Sequence, residues 1–217
     1  MQAGATMQAR GLPQIWFGVL AAISGVGILV NALVAWSNEA GFFSTGLYRF
    51  LNTFTFFTIL SNALVAVSAF MLATNRASRS DLFRTIWLSG LVAITITGIV
   101  YHTVLAGLND LTTWGTIGDV MVHTISPIMS VLGFLLFGPR NLIDSRVITL
   151  SFIYPATWAI FTLVRGEFVD WYPYPFIDVI DNGYPTVFLN VVLVGLLYGA
   201  VGFALRFADR WLGGRNR

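Results

Sequence analysis

Two histidines, one aspartate and a run of threonines are the side chains in this 217-residue sequence whose types and spacing suit proton-transfer chemistry. Asp119 and His123 are four residues apart, so on a helix they share a face and can touch. A carboxylate in that position fixes the imidazole tautomer and raises its basicity. A hydroxyl becomes a competent nucleophile when such a base takes its proton, and Thr55 is the candidate hydroxyl, with Thr53 and Thr58 as alternatives in register. A hydroxyl, a histidine and a carboxylate in series carry out acyl transfer, with Thr55 and His123 as the catalytic pair and Asp119 in support. His102 is the candidate for assisting them or for binding the oxyanion that develops.

The polar residues form stripes. Thr55, Thr58 and Asn62 fall at i, i+3 and i+7, and Thr95, Gly98 and His102 repeat that spacing on the next apolar run. Asp119, His123, Ser126 and Ser130 make a third stripe, in which Pro127 lacks the N–H that would bond the His123 carbonyl. Polar stripes on facing helices imply a polar cavity or a hydrogen-bonded seam. For Ser61, Thr95 and Ser126 the plainer role is interhelical packing, at about 0.6 kcal/mol per hydrogen bond.

These stripes lie on elements that must cross a bilayer. Hydrophobic residues make up 56% of the chain, mean hydropathy is +0.76, and only 10% of residues are charged, too few to clothe a soluble globule of this size. A spanning helix needs about 20 apolar residues. Six such runs occur, approximately 14–36, 50–72, 82–105, 118–137, 147–164 and 187–207, giving an all-α six-helix membrane bundle as one domain over residues 1–217. The first run is read as a retained helix, because no small-x-small cleavage site ends it. With six spans, Arg10, Arg76, Arg79, Arg84, Arg140, Arg146, Arg206, Arg210, Arg215 and Arg217 fall on one side, against Arg49 and Arg165 on the other. That segregation predicts cytoplasmic termini and an acidic outer face, with Trp36, Trp114, Trp171, Tyr172 and Tyr174 at the outer boundary.

Composition excludes several other chemistries. There is no cysteine, so disulfides, thiol catalysis and thiolate metal sites are absent, and two histidines make a poor zinc site. No metal and no cofactor is expected. All twelve basic residues are arginine, which excludes lysine Schiff-base chemistry and fits the codon bias of a GC-rich bacterium; the expected location is the bacterial inner membrane. The basic pI of about 9.2 comes without a basic cluster interleaved with aromatics, so nucleic acid is not an expected partner. Membrane lipids and an acyl-chain substrate are, and the sequence identifies no protein partner.

The connection from about Arg165 to Thr186 is the longest, and its length suits a lid or binding loop. Prolines make Tyr172-Pro173-Tyr174-Pro175 a stiff extended stretch whose rings can pack over the helix ends. Arg165 is expected to pair with Asp178 or Asp181, or to meet a carboxylate or lipid phosphate.

Three segments together carry a resemblance spanning most of the chain: Phe54-Thr55-Phe56-Phe57-Thr58-Ile59-Leu60-Ser61-Asn62, His123-Thr124-Ile125-Ser126-Pro127, and Tyr172-Pro173-Tyr174-Pro175-Phe176-Ile177-Asp178. In their order they resemble the bacterial Pr-six-Pr family of integral membrane proteins, similar in turn to the androgen-induced and androgen-dependent membrane proteins of animals. Those relatives are multipass hydrolases of fatty-acid esters of hydroxy fatty acids that use a membrane threonine and a histidine. The resemblance implies Thr55 and His123 here, although the animal histidine motif has one more residue before its proline. Two other functions fit the same residues. A small-molecule or proton-coupled transporter would use Asp119, His123 and His102 as a relay, and a non-enzymatic structural or sensory protein would use the stripes for packing alone.

Overall fold

The computed structural model describes residues 11–77, 79–108 and 110–214, and every regular element among them is helical. Arg10, Arg215 and Arg217 of the arginine tally lie outside the described residues. In chain order the helices are α1 (Leu12–Ser37), α2 (Gly46–Thr53), α3 (Phe57–Ala73), α4 (Asp81–Val100), α5 (Thr113–Val120), α6 (Ser126–Phe137), α7 (Ser145–Ser151), α8 (Ile153–Val169) and α9 (Val179–Gly214). A π turn, Tyr101–Leu105, extends α4, and a second, Met121–Ile125, joins α5 to α6.

Among the described residues five continuous helical stretches are long and apolar enough to cross a membrane, and a sixth forms if α2 and α3, bent by 60°, count as one span. Their outward faces stay apolar: Leu12, Ile15, Val19, Val26, Leu29 and Leu33 of α1 are all exposed. A helix with that much exposed aliphatic surface is matched to lipid, not to water. The structure is thus that of a multi-pass helical membrane protein.

Three of the six expected spans differ in detail. The run expected as one helix over 50–72 is broken at Phe54–Phe56. The fifth begins at Ser145 and is interrupted by a turn at Phe152, and the helix that holds the sixth starts earlier, at Val179, with a kink where Gly183 adopts φ 72° ahead of Pro185. Glycine and proline explain the last. The first break contains neither residue and is held by tertiary contacts described below.

Small residues set how closely the helices approach. A Cβ on Gly90 of α4 would stand 3.1 Å from Leu64 Cβ and 3.2 Å from the Val65 nitrogen of α3. A Cβ on Gly98 would stand 3.0 Å from Pro127 Cβ and 3.6 Å from the His123 carbonyl oxygen. These two contacts fix the register of α4 against α3 and against the His123 turn. The main core lies lower in the bundle, where Trp87, Leu88, Val92, Phe134, Val147 and Tyr198 pack together.

Charge is segregated between the two ends. At one end Arg84 bonds the Leu142 carbonyl, Asp81 and Asp144, Arg146 pairs with Asp81, and Arg206 reaches Ser145. Asp209, fully buried, accepts the N–H groups of Asn141, Leu142 and Ile143 at 2.9 Å each, holding the α6–α7 turn onto α9. At the other end Arg49 bonds the Ala35, Trp36 and Phe43 carbonyls.

Replacing Asp209 by Ala strands three donors, two of them on the buried residues Leu142 and Ile143, and thermal or denaturant unfolding in detergent should show about 3 kcal/mol lost. The Val147 N–H, and after it Arg84, hold the Asp144 carboxyl below the ordinary value of 3.8. Its stabilisation is therefore fully present above that value and is lost as pH falls through the lower folded one. Unfolding midpoints measured from pH 6 downward should fall less steeply in Asp144→Asn than in the parent.

Candidate functional site

The break between α2 and α3 creates the site. Phe56 is extended (φ −74°, ψ 134°) and caps α3, so Thr58 stands in the first turn of a helix. Irregular backbone within a bilayer persists only where protein satisfies its polar groups. Here aromatic side chains do so. Trp158 Nε1 donates to the Thr55 carbonyl at 2.9 Å, Tyr154 donates to the Phe57 carbonyl at 3.0 Å, and the Thr58 N–H donates to the Tyr174 hydroxyl at 3.2 Å.

Thr58 then meets a polar chain built on three helices. His123 Nε2 is 3.2 Å from Thr58 Oγ1, and His123 Nδ1 is 2.8 Å from Asp119 Oδ1. Tyr101 donates to the other carboxylate oxygen at 2.5 Å and stacks its ring on the imidazole, with centroids 4.0 Å apart and planes 11° apart. An Nδ1 that faces a carboxylate carries the proton, so Nε2 presents its lone pair to the Thr58 hydroxyl. Thr58 donates to that lone pair, and the Tyr174 hydroxyl, 3.3 Å away, donates to Thr58 Oγ1. Burial raises the Tyr174 phenol above its ordinary value, which keeps that proton in place. Hydrogen bonds therefore run in one direction from Tyr174 through Thr58 and from His123 to Asp119.

Thr58 also borders an apolar cavity of about 220 Å³, lined by Val100, Leu105, Trp158, Phe176 and Val191 among others. The cavity and the His–Asp pair thus meet at one residue. Asp119 and His123 keep about 15% of their side-chain surface exposed, so the pair is sheltered without being sealed.

The expected pairing of Thr55 with His123 is corrected by this geometry. Thr55 lies in the break and its hydroxyl bonds the Asn52 carbonyl at 2.8 Å, while Thr53 bonds the Arg49 carbonyl. The interruption brings Thr58, three residues on, to the histidine instead. His102 is not brought to the hydroxyl either: it is exposed, stands edge-on to Tyr101, and its Nε2 pairs with Thr124 at 3.1 Å. Asn62 donates to the Thr58 carbonyl and to the Val122 carbonyl, clamping α3 to the histidine turn. Ser126 bonds Ser24 of α1 and is structural.

Arg165 does not form the expected ion pair with Asp178 or Asp181. It donates to Asn52 Oδ1 at 2.7 Å, and its guanidinium lies over Phe43 and Trp171, 5.5 and 5.4 Å from the centroids. Cation–π contact holds the cation over the break. Asp178 instead caps the turn that starts α9, accepting from the Ile180 and Asp181 N–H groups. Tyr174 is where the stiff loop was expected to place it, buried over the helix ends against Phe56, Trp158 and Phe176.

Tyr101 is the member that sequence reasoning missed. Its signal is in the sequence: it lies four residues after Thr97 of α4 and directly precedes His102. Both histidines lie in π turns, and such one-residue widenings recur at functional sites because they re-aim side chains. Compared with models of known protein families, with curated protein sequences and with solved structures, the chain has no match.

The loop's seat can be tested at Gly166. A Cβ there would stand 2.0 Å from Tyr172 Cε1, so Gly166→Ala must expel that ring. The stiff Tyr172–Tyr174 segment should follow, with about 1–3 kcal/mol lost on unfolding in detergent and faster proteolysis of the loop.

Proposed function

We propose that this chain is an intramembrane hydrolase of lipid-like esters, with Thr58 as nucleophile, His123 as general base and Asp119 holding His123 in its tautomer. The observation that carries the reading is that, among the described residues, Thr58 alone both meets the His123 nitrogen and lines the apolar cavity. A soluble proton donor would not need that cavity, and a purely structural hydroxyl would not need a histidine oriented by a carboxylate.

In the proposed reaction the alkyl portion of an ester occupies the cavity and its carbonyl carbon lies beside Thr58 Oγ1. As the Oγ–C bond forms, the hydroxyl proton passes to His123 Nε2 and the carbonyl π pair moves onto oxygen. Asp119 and Tyr101 stabilise the imidazolium. Re-formation of the carbonyl breaks the bond to the alcohol oxygen, which takes the proton from Nε2. Water repeats the sequence on the acyl-threonine and releases the acid. The position of Thr58 in the first turn of α3 adds the positive end of a helix to the developing alkoxide.

The resemblance to the Pr-six-Pr and androgen-induced membrane families belongs to this reading, with fatty-acid esters of hydroxy fatty acids as the substrate class and Thr58 in place of Thr55. So does a bacterial inner-membrane location with six crossings and cytoplasmic termini, supported by clustering of Arg84, Arg146 and Arg206 at the end opposite the site. A proton-relay transporter is less well supported. Below Asn62, α3 turns Val65, Ala69 and Ala73 inward against Phe17 and Leu20, with no ionisable side chain to continue the relay.

Incubation of purified protein with a fluorophosphonate and with a hydroxy-fatty-acid ester tests the reading. Labelling and ester cleavage should vanish in Thr58→Ala and persist in Thr55→Ala, and Asp119→Asn should slow cleavage by about 10²–10⁴-fold. Equal labelling of the parent and Thr58→Ala would sink the proposal.

A further inference from the structure

We propose that Thr97 supplies the hydrogen bond that receives negative charge on the ester carbonyl oxygen, an inference that rests on Thr58 being the nucleophile. Thr97 is 5% exposed, it lines the same cavity as Thr58, and its hydroxyl has no hydrogen-bond partner. Among the described residues Thr85 and Thr162 share that state, and of the three only Thr97 lines this cavity. Thr95, Thr103 and Thr157 each return their hydroxyl to the carbonyl four residues back, as helical threonines do when nothing else engages them.

The register of α4 puts Thr97 at the right depth. Gly90 abuts Leu64 and Val65, and α3 and α4 run in opposite directions. Seven residues further along α4 is Thr97, and seven residues back along α3 is Phe57, each a displacement of about 10 Å. Thr97 therefore stands level with the Phe57–Thr58 peptide, and all three residues line the cavity. Its neighbour Gly98 touches the turn of His123 itself, so the same level of α4 also meets the base.

The other polar groups lining the cavity are already committed. The Tyr174 hydroxyl serves Thr58, Trp158 Nε1 serves the Thr55 carbonyl, and the Tyr198 hydroxyl serves the Ser151 carbonyl. Thr97 holds the uncommitted donor among the residues lining the cavity. An unpaired buried hydroxyl is costly in the resting protein, and a carbonyl oxygen gaining charge is the acceptor that would relieve it. No proton leaves Thr97 in this role; the hydrogen bond shortens as the oxyanion forms and relaxes as the carbonyl returns.

The test uses the full chain in detergent and a long-chain p-nitrophenyl ester, comparing Thr97→Val, Thr97→Ser and Thr58→Ala. Valine keeps the shape and removes the donor, so kcat should fall about 10²–10³-fold with KM within about two-fold and with thermal stability equal or higher. Serine restores the donor and should retain kcat within about five-fold. Thr97→Val at parental kcat while Thr58→Ala is inactive would overturn this assignment and leave the hydrolase intact. So would a loss confined to KM, or serine failing as badly as valine. A parent without activity on the ester, or Thr58→Ala cleaving as fast as the parent, would overturn the hydrolase and this assignment with it.

Discussion

Everything at the end of this molecule that holds Thr58 and His123 depends on satisfying the backbone where the second membrane segment is interrupted between Thr53 and Phe57. In a bilayer an unpaired peptide group costs several kcal/mol, so a helix without proline or glycine has no reason to break unless its freed groups are received. Side chains from distant parts of the chain receive two of them, Trp158 at the Thr55 carbonyl and Tyr174 at the Thr58 N–H, while Tyr154 adds a bond to the Phe57 carbonyl where α3 begins. The aromatic content of α8 and of the Tyr-Pro-Tyr-Pro loop follows from that demand. A tyrosine or tryptophan brings one polar atom to a chosen depth on an apolar body, which suits it to this task.

The same interruption is what separates two otherwise similar threonines. In an unbroken helix Thr55 and Thr58 would share a face, and both could approach His123. With the helix bent by 60°, Thr55 belongs to the turn and spends its hydroxyl on Asn52, while Thr58 begins the next helix and points at Nε2. Arg165, resting over Phe43 and Trp171 and bonded to Asn52, secures the bend. The polar chain and the bend are one construction.

Much of this was legible in the sequence. Apolar run length identifies the multi-pass helical fold, and four-residue spacing identifies the Asp119–His123 pair, because both properties are local and periodic. The extended backbone at Tyr174 was also readable, since proline acts on the residue before it. The break was not, because its cause is tertiary: nothing within residues 52–58 ends a helix, and the residues that do so are about 100 positions away. Thr58 was within reach only as one of three registers. The expected Arg165 ion pair failed for a related reason. Charge complementarity on one face says nothing of the aromatic rings and side-chain amide that compete for the same guanidinium.

Tyr101 shows how a local rule can point one residue away from the answer. A helical stripe of Thr95, Gly98 and His102 draws attention to the histidine, yet the π turn that begins at Tyr101 lays that ring on His123 and leaves His102 outside with Thr124. The stacked ring excludes water from one face of the imidazole, and its hydroxyl occupies the carboxylate oxygen that Nδ1 leaves free. Asp119 is then held by two donors and cannot rotate away from His123 without losing one. A histidine so fixed from the side and from behind has one direction left in which to act, toward Thr58.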